Sequence, residues 1–590
     1  MALKLNQLKS FVFVAVGAAF LPFLVLADNY GDKAVFNVDK DYDADKRSTV
    51  TATLVWSGQK IYFYADDAWW NGLDSVSRQN YNLIFQELDM EFARYIYPKL
   101  TQLFGTDVNP AVDRGGKITV LAHPMVKDAG GYINTGDGYS KYQAPSSNER
   151  EMVYFNTRFI DSPLAKAYLA HEFTHLITFN QKDRLRNVSD DVWLNEARAD
   201  YASTILGYDT PFWQSNFDQR VKSFSAESSA SLTEWENKTA NYGAAHLFVQ
   251  YLVDHYGIAV IADSMKTQQT GIASIEYALR KNGFEKTFAQ VFADWLVVLA
   301  VNDCALGERY CYKLADLKNF TIAPKVNYLP NSDQVSMSVM YNTAYFAGNW
   351  QKITGGNGDL RVDFSSAASD KFLAPYILCD MGGVCHVGSL DTAADGKAML
   401  DVAGFGSQYA SLTIIPFASG KTFGFDGAGE STVSYSLNIA VRPKTAPGST
   451  QNVVADNSME NEKIAAMLAQ IEALKKEIER VKALLAARLN LAQTTPKSTG
   501  SYSCGAITAD LYYGAQNRAQ VVCLQEFLKS QGSLIYPGGI ISGKFFDQTQ
   551  AAVARFQEKY AAEILTPLGL QKGTGYAGPS TRAKINTLMK

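Results

Sequence analysis

At 590 residues, 47% hydrophobic and 19% charged, the chain has ordinary globular composition and length for roughly three to five domains. A net charge of −4 without a basic stripe argues against nucleic acid as its main partner. After the N-terminus no segment reaches ~18 apolar residues, so no membrane span is expected in the mature chain.

Residues 1–27 read as an export signal. Lys4 and Lys9 precede an apolar run from Phe11 to Leu26, and Val25 and Ala27 suit cleavage after Ala27. The first residue after the cut would be Asp28, not Cys, so no lipoprotein anchor is indicated. The expected location is exported: periplasmic, wall-associated or extracellular. Six cysteines fall into three sequence-local pairs, Cys304/Cys311, Cys379/Cys385 and Cys504/Cys523, and three local disulfides are expected.

Residues 28–65 form a β-rich leader, with "TVTATLVW" and "KIYFYA" alternating at period two. Its "DKDYDADK" lacks the glycine and final glutamate of a calcium loop and reads as a solvated acidic turn, leaving calcium unassigned. A helix with apolar spacing follows from Asp74, closed by Pro98. "KITVLAHPM" and "EMVYFNTR" read as strands. A helix opened by Ser162 and Pro163 carries "HEFTH", and a second carries "WLNEARAD". Helices continue to about Tyr312, which bounds a domain at 66–312. Residues 325–443 switch to short alternating runs, a β-sandwich pattern. A linker spans 444–500. Within it Ile464, Ile471, Ile478 and Leu485 occupy heptad a positions, and Met467, Leu474 and Val481 occupy d. That stretch is either a short coiled coil, giving a possible homo-oligomer, or a lone amphipathic spacer helix; Arg488 spoils its last d position. The final unit spans 501–590.

The chemistry concentrates in H-E-x-x-H. His171 and His175 stand one helical turn apart on one face and can converge on one ion. Glu172 sits one position round the helix. It can reach a water on that ion without ligating it, and can carry the proton from water to the leaving nitrogen. Thr178 and Gln181 stand where a metzincin would place glycine and histidine, which excludes that type. "WLNEARAD" supplies Glu196 and, four residues on, Asp200 on the same side of a helix.

This set resembles the gluzincins, which take two histidines from one helix and a glutamate from the next. "HEFTHLITFNQ…WLNEARADYAS…YGAAHLFVQYLVDHYG" resembles the hyicolysin-type secreted metallopeptidases over roughly residues 66–302. The resemblance implies a thermolysin-like catalytic domain with one catalytic Zn2+ on His171, His175 and Glu196, and Glu172 as general base and acid. It implies that Asp200 holds a histidine's other ring N–H, that of His171, and that the "EMVYFN" strand borders the cleft. The aminopeptidase sequence G-x-M-E-N is absent, which favours an endopeptidase acting on protein or peptide. The oxyanion donor stays open among Tyr242, His246 and Tyr201, with Tyr242 first. His246 has Leu247 and Phe248 beside it, which equally fits a core histidine, and His123, His255 and His386 read as structural.

In 501–590, Gly543, Thr549, Ala551 and Val553 recur in spacing at Gly575, Thr581, Ala583 and Ile585, as a glycine turn, a threonine helix cap and an apolar face. The unit resembles the small helical peptidoglycan-binding domain of cell-wall enzymes, which implies peptidoglycan as a partner. The expected architecture is α+β multidomain. The expected function is a wall-associated zinc endopeptidase. The alternatives are a zinc-dependent peptidoglycan hydrolase and a non-catalytic surface scaffold or adhesin.

Overall fold

A computed structural model describes residues 28–107, 115–126, 129–425, 431–443, 504–515, 517–537, 539–568 and 570–589. The export signal and the coiled-coil stretch lie outside them. The chain is mixed α and β with several sheets and helical units. Among the described residues no helix is long and apolar enough to cross a membrane. All three expected disulfides are present, which fits an exported chain.

The first sheet has strands β1 (Lys33–Asn37), β2 (Thr49–Ser57), β3 (Ile61–Asp66), β4 (Ile118–His123), β5 (Gly131–Tyr132) and β6 (Met152–Asn156). Their order is β1-β2-β3-β4-β6-β5. β3 runs parallel to β4, with Tyr64 opposite Leu121, and β4 parallel to β6. Residues 28–65 are therefore half of this sheet and not a separate leader. The alternating β2 has one face in the core, while β3, β4 and β6 are buried throughout, as strands covered on both faces must be. β6 lies inside the sheet. The edge strand is β5, so the "GY" of "GGYINTG", not "EMVYFN", takes the expected edge position.

Helices α1 (Asp67–Gly72), α2 (Ser75–Glu91) and α3 (Tyr97–Phe104) cover the sheet. Pro98 does not end the helical run. A π turn over Phe92–Ile96 starts a new helix whose first turn holds Pro98, where its missing N–H costs nothing. Seven helices complete the lobe: α4 (Ala165–Thr178), α5 (Val192–Leu206), α6 (Asn216–Ala226), α7 (Thr239–Tyr256), α8 (Ile258–Met265), α9 (Gly271–Lys281) and α10 (Phe288–Val301).

Residues 325–442 carry ten hydrogen-bonded strands, β7 (Lys325–Leu329) to β16 (Thr432–Arg442). Alternate residues such as Leu360, Val362 and Phe364 close one apolar core with Phe372, Leu412 and Leu437. This unit packs on the helical lobe: Phe417 meets Phe292 edge-on at 5.0 Å, and Trp350 Nε1 donates to the Leu296 carbonyl at 3.0 Å.

The C-terminal unit holds α11 (Arg518–Ser530), α12 (Asp547–Lys559), α13 (Ala561–Ile564) and α14 (Pro579–Leu588). Its repeat is real, but the threonines are not caps. Thr549 and Thr581 sit inside the first turns of α12 and α14, behind Phe546 and Gly578. Each instead bonds a buried glutamine. Gln525 Nε2 donates to Thr549 Oγ1 at 2.8 Å, and its Oε1 accepts from Gly543 N at 2.8 Å. Gln557 Nε2 donates to Thr581 Oγ1 at 2.9 Å, and its Oε1 accepts from Gly575 N at 3.0 Å. Both glycines take left-handed φ, 72° and 73°, which places their N–H groups for this bond without a Cβ penalty.

Candidate metal centre

Helix α4 is buried on nearly every side and lies inside the lobe. Phe173 stacks against Tyr97 and meets Phe92 edge-on, at 5.4 and 4.8 Å. Leu176, Ile177 and Phe179 are buried, as their pattern requires. Thr174 and Thr178 satisfy their hydroxyls on the Ala170 and Thr174 carbonyls at 2.8 and 3.0 Å, so they tolerate burial. The helix starts at Ala165, after Ser162 and Pro163. Ser162 Oγ instead accepts from Leu164 N–H, closing the preceding turn. Packing of α4 against α5 brings the two histidines to Glu196.

The three side chains meet. His171 Nε2 and His175 Nε2 are 3.1 Å apart, and Glu196 Oε2 lies 3.4 Å from the first and 3.6 Å from the second. These residues could hold a metal ion. Donors bound to a tetrahedral ion at zinc–ligand distances stand about 3.3 Å from one another. Glu196 Oε2 is buried and accepts no well-aligned hydrogen bond among the described residues. His175 Nδ1 faces Asn195 Oδ1 at 3.1 Å, and donation there leaves the Nε2 lone pair free. Asn195 was not singled out in the sequence; its place directly before Glu196 is the available signal. Burial opposes ionisation of Glu196, but the charges of His175 and His171 hold it well below the carboxylate range. Burial likewise opposes the His175 cation, while Glu196 leads the groups that push it up to about 9.

Glu172 is buried and turns toward β5. A Cβ on Gly131 would lie 3.1 Å from Glu172 Oε1 and 2.6 Å from the Tyr154 carbonyl oxygen. Burial pushes its carboxyl up, with the charges of His171 and His175 opposing. Gly131 thus makes the room in which the Glu172 carboxyl sits. Gly131→Ala is expected to cost about 1–3 kcal/mol of stability. It should also lower turnover by up to about 10²-fold through displacement of Glu172. Thermal unfolding and steady-state kinetics check both.

Asp200 lies 3.7 Å from His171 Nδ1, beyond hydrogen-bond reach. Its oxygens accept from His246 Nδ1 at 2.9 Å, from Arg220 Nε and Nη2 at 3.1 and 3.0 Å, and from Asn216 Nδ2 at 3.1 Å. Burial alone would raise its carboxyl, but Arg220 and His246 hold it well below the usual range. His246 is no oxyanion donor. It is fully buried, stacks on Phe217 at 3.9 Å, and its Nε2 lies 2.8 Å from Thr204 Oγ1. Tyr242 is beside the site, its ring 6.5 Å from that of His171, but its hydroxyl donates to Asn237 Oδ1 at 3.0 Å and Arg220 covers its ring at 4.5 Å. Tyr201 is buried and donates to Gln250 Oε1. Of the other histidines, His123 is fully buried, its Nδ1 3.2 Å from Asp43 Oδ2, and His255 Nε2 lies 2.8 Å from the Cys311 carbonyl oxygen. His386 lies on β12 (Cys385–Asp391), remote in sequence and element from the centre.

The cleft over the centre is lined by Tyr42, Tyr132, His175, Phe179 and Asn195, and also by Tyr513 and Phe546 of the C-terminal unit. Tyr513 bonds Thr135 through the two hydroxyls and packs on Tyr139 at 5.6 Å.

Searches against protein-family models and against curated proteins returned no match. Among solved structures, the Yersinia pseudotuberculosis-derived mitogen matches at 11% identity and TM-score 0.14, over 20% of this chain and 92% of its own. Aeromonas hydrophila PliG, a periplasmic inhibitor of g-type lysozyme, matches at 13% and 0.15, over 20% and 100%. The pre-peptidase C-terminal domain of Bacillus anthracis collagenase matches at 5% and 0.14, over 20% and 96%. Scores of this size assign neither fold nor function.

Proposed function

We propose that the chain is an exported zinc endopeptidase of the gluzincin type, held at the cell wall by its C-terminal unit. One observation carries the reading: two histidines of α4 and a glutamate of α5 present their donor atoms 3.1 to 3.6 Å apart, with a buried carboxyl next in the chain to one of them. Two imidazoles and one carboxylate are a catalytic zinc donor set, which leaves a coordination place for water. When bound, zinc supplies Lewis acidity and an acidified water. Glu172 takes the proton from the attacking water and returns it to the leaving nitrogen, and its raised pKa suits both steps. Asn195 fixes the His175 ring through Nδ1, and β5 offers its backbone to an extended peptide at the cleft edge.

A second reading, hydrolysis of wall peptides, is favoured by Tyr513 and Phe546, which line the same cleft as His175. Zinc-loaded protein incubated separately with casein and with purified sacculi decides between them. The expected result is chelator-sensitive cleavage of casein and intact sacculi. Released muropeptides with uncut casein would replace the first reading by the second, and inert protein on both would remove the enzyme reading.

A further inference from the structure

In the acidic turn Asp39, Asp41 and Asp45 are exposed, as a solvated turn requires, but Asp43 is a built anchor. Asp43 is fully buried, 2.8 Å from Arg47 Nη2 and 3.2 Å from His123 Nδ1, and Arg47 Nη1 reaches Asp66 Oδ2 at 2.7 Å. The backbone on either side is tied down as well. Val126 N–H donates to the Tyr42 carbonyl at 2.9 Å, and Ala44 N–H to that of Pro124 at 3.2 Å. Tyr132 OH accepts from Asp39 N–H at 3.0 Å. A buried charge needs paired, hydrogen-bonded partners, and here the linked groups, Asp43 with Arg47, His123 and Asp66, come from three separate segments. What this anchoring presents is Tyr42. Its ring stacks on Tyr132 at 4.6 Å and lines the cleft that His175 and Asn195 line. Among the described residues its hydroxyl has no hydrogen-bond partner, whereas that of Tyr242 is engaged by Asn237. Burial pushes the Tyr42 phenol up, and the next largest influences are the charges of Glu196 and Glu172.

We infer that Tyr42 is a substrate-contacting residue of the metal centre, donating its phenolic hydrogen bond to the substrate carbonyl oxygen as that oxygen gains negative charge. The inference rests on the metallopeptidase reading. It also makes residues 28–47 a permanent part of the site and not a removable pro-region.

The test compares wild type with Tyr42→Phe, which keeps the stack on Tyr132, using the zinc-loaded full chain. A fluorogenic peptide gives kcat and KM, and a peptidyl phosphonamidate, which mimics the charged tetrahedral oxygen, gives a Kd by calorimetry. The expected loss is about 10²-fold in kcat, with KM, zinc content and Tm unchanged. Phosphonamidate binding should weaken in parallel. An active wild type with an equally active Tyr42→Phe overturns the inference alone; an inert wild type that ignores the phosphonamidate overturns it together with the function. If Tyr42→Phe loses Tm, nitration of wild type by tetranitromethane replaces it. Protection of Tyr42 by bound phosphonamidate supports the contact, and unchanged nitration overturns it.

Discussion

Glu172→Gln lowers kcat by about 10²–10⁴-fold, leaves zinc content at one ion per chain, and leaves Tm within about a degree. The amide keeps the size and burial of the carboxyl, so the packing against Gly131 survives. What disappears is the ability to take a proton and return it. None of the donor atoms that meet at the centre belongs to Glu172, so the metal stays. Inductively coupled plasma analysis beside kinetics separates this outcome from a ligand role, in which zinc would be lost with activity. The pH profile supplies a further check. Activity needs the ionised carboxylate, and burial raises its pKa above the ordinary range. The acidic limb of kcat should therefore lie above the usual carboxylate range, and activity should fall as pH drops through it. In Glu172→Gln that limb should vanish. An active, zinc-loaded Glu172→Gln would end the proposed mechanism.

How much of this was legible in the sequence depends on the range of the signal. His171 and His175 were readable because helical periodicity alone puts residues four apart on one face. Glu196 was readable only as part of a motif, since its meeting with the histidines is a tertiary contact between α4 and α5. Asp200 was found by the same motif but assigned the wrong principal partner: Arg220 and His246 come from α6 and α7, and no local pattern announces them. The "DKDYDADK" turn misled for the same reason. A composition rule sees four acids and infers solvent, which holds for Asp39, Asp41 and Asp45, while the partners that bury Asp43 are the Arg47 guanidinium and the His123 ring, eighty residues away. The leader boundary failed because parallel pairing of β3 with β4 spans a helical excursion and leaves no trace in either strand's own pattern. Gln525 and Gln557 were within reach. They share the 32-residue offset of the glycines and threonines they bind, but a polar residue in an apolar stripe was not read as part of the repeat.

Asp200→Asn should be the most destabilising change near the centre, by about 3 kcal/mol, the lower end for breaking a buried ion pair. Its carboxylate is 1% exposed and is the shared acceptor for Arg220, His246 and Asn216. The amide removes the charge that pairs the Arg220 guanidinium. Arg220 keeps 18% side-chain exposure, so water recovers part of the loss, which sets the lower end of the range. The sign with pH is fixed by the depressed pKa. The folded carboxyl titrates below its ordinary value of 3.8, so its stabilisation is fully present above that value and is lost as pH falls through the folded pKa. Wild type should thus lose stability in acid more steeply than Asp200→Asn, and the two denaturation curves should converge at low pH. The carboxylate also lies 3.7 Å from His171 Nδ1, close enough for its charge to favour that ring N–H and leave Nε2 as donor. Zinc affinity should fall by less than about 10-fold, because the cost of about 10–100-fold belongs to a partner that is hydrogen-bonded to the ligand. Urea unfolding across pH, with competition for zinc against a chelator of known affinity, measures both effects on the same protein. Equal acid sensitivity in the two proteins would mean that Arg220 and His246 hold their places without this carboxylate. The cluster behind the histidines would then be packing and not an electrostatic support.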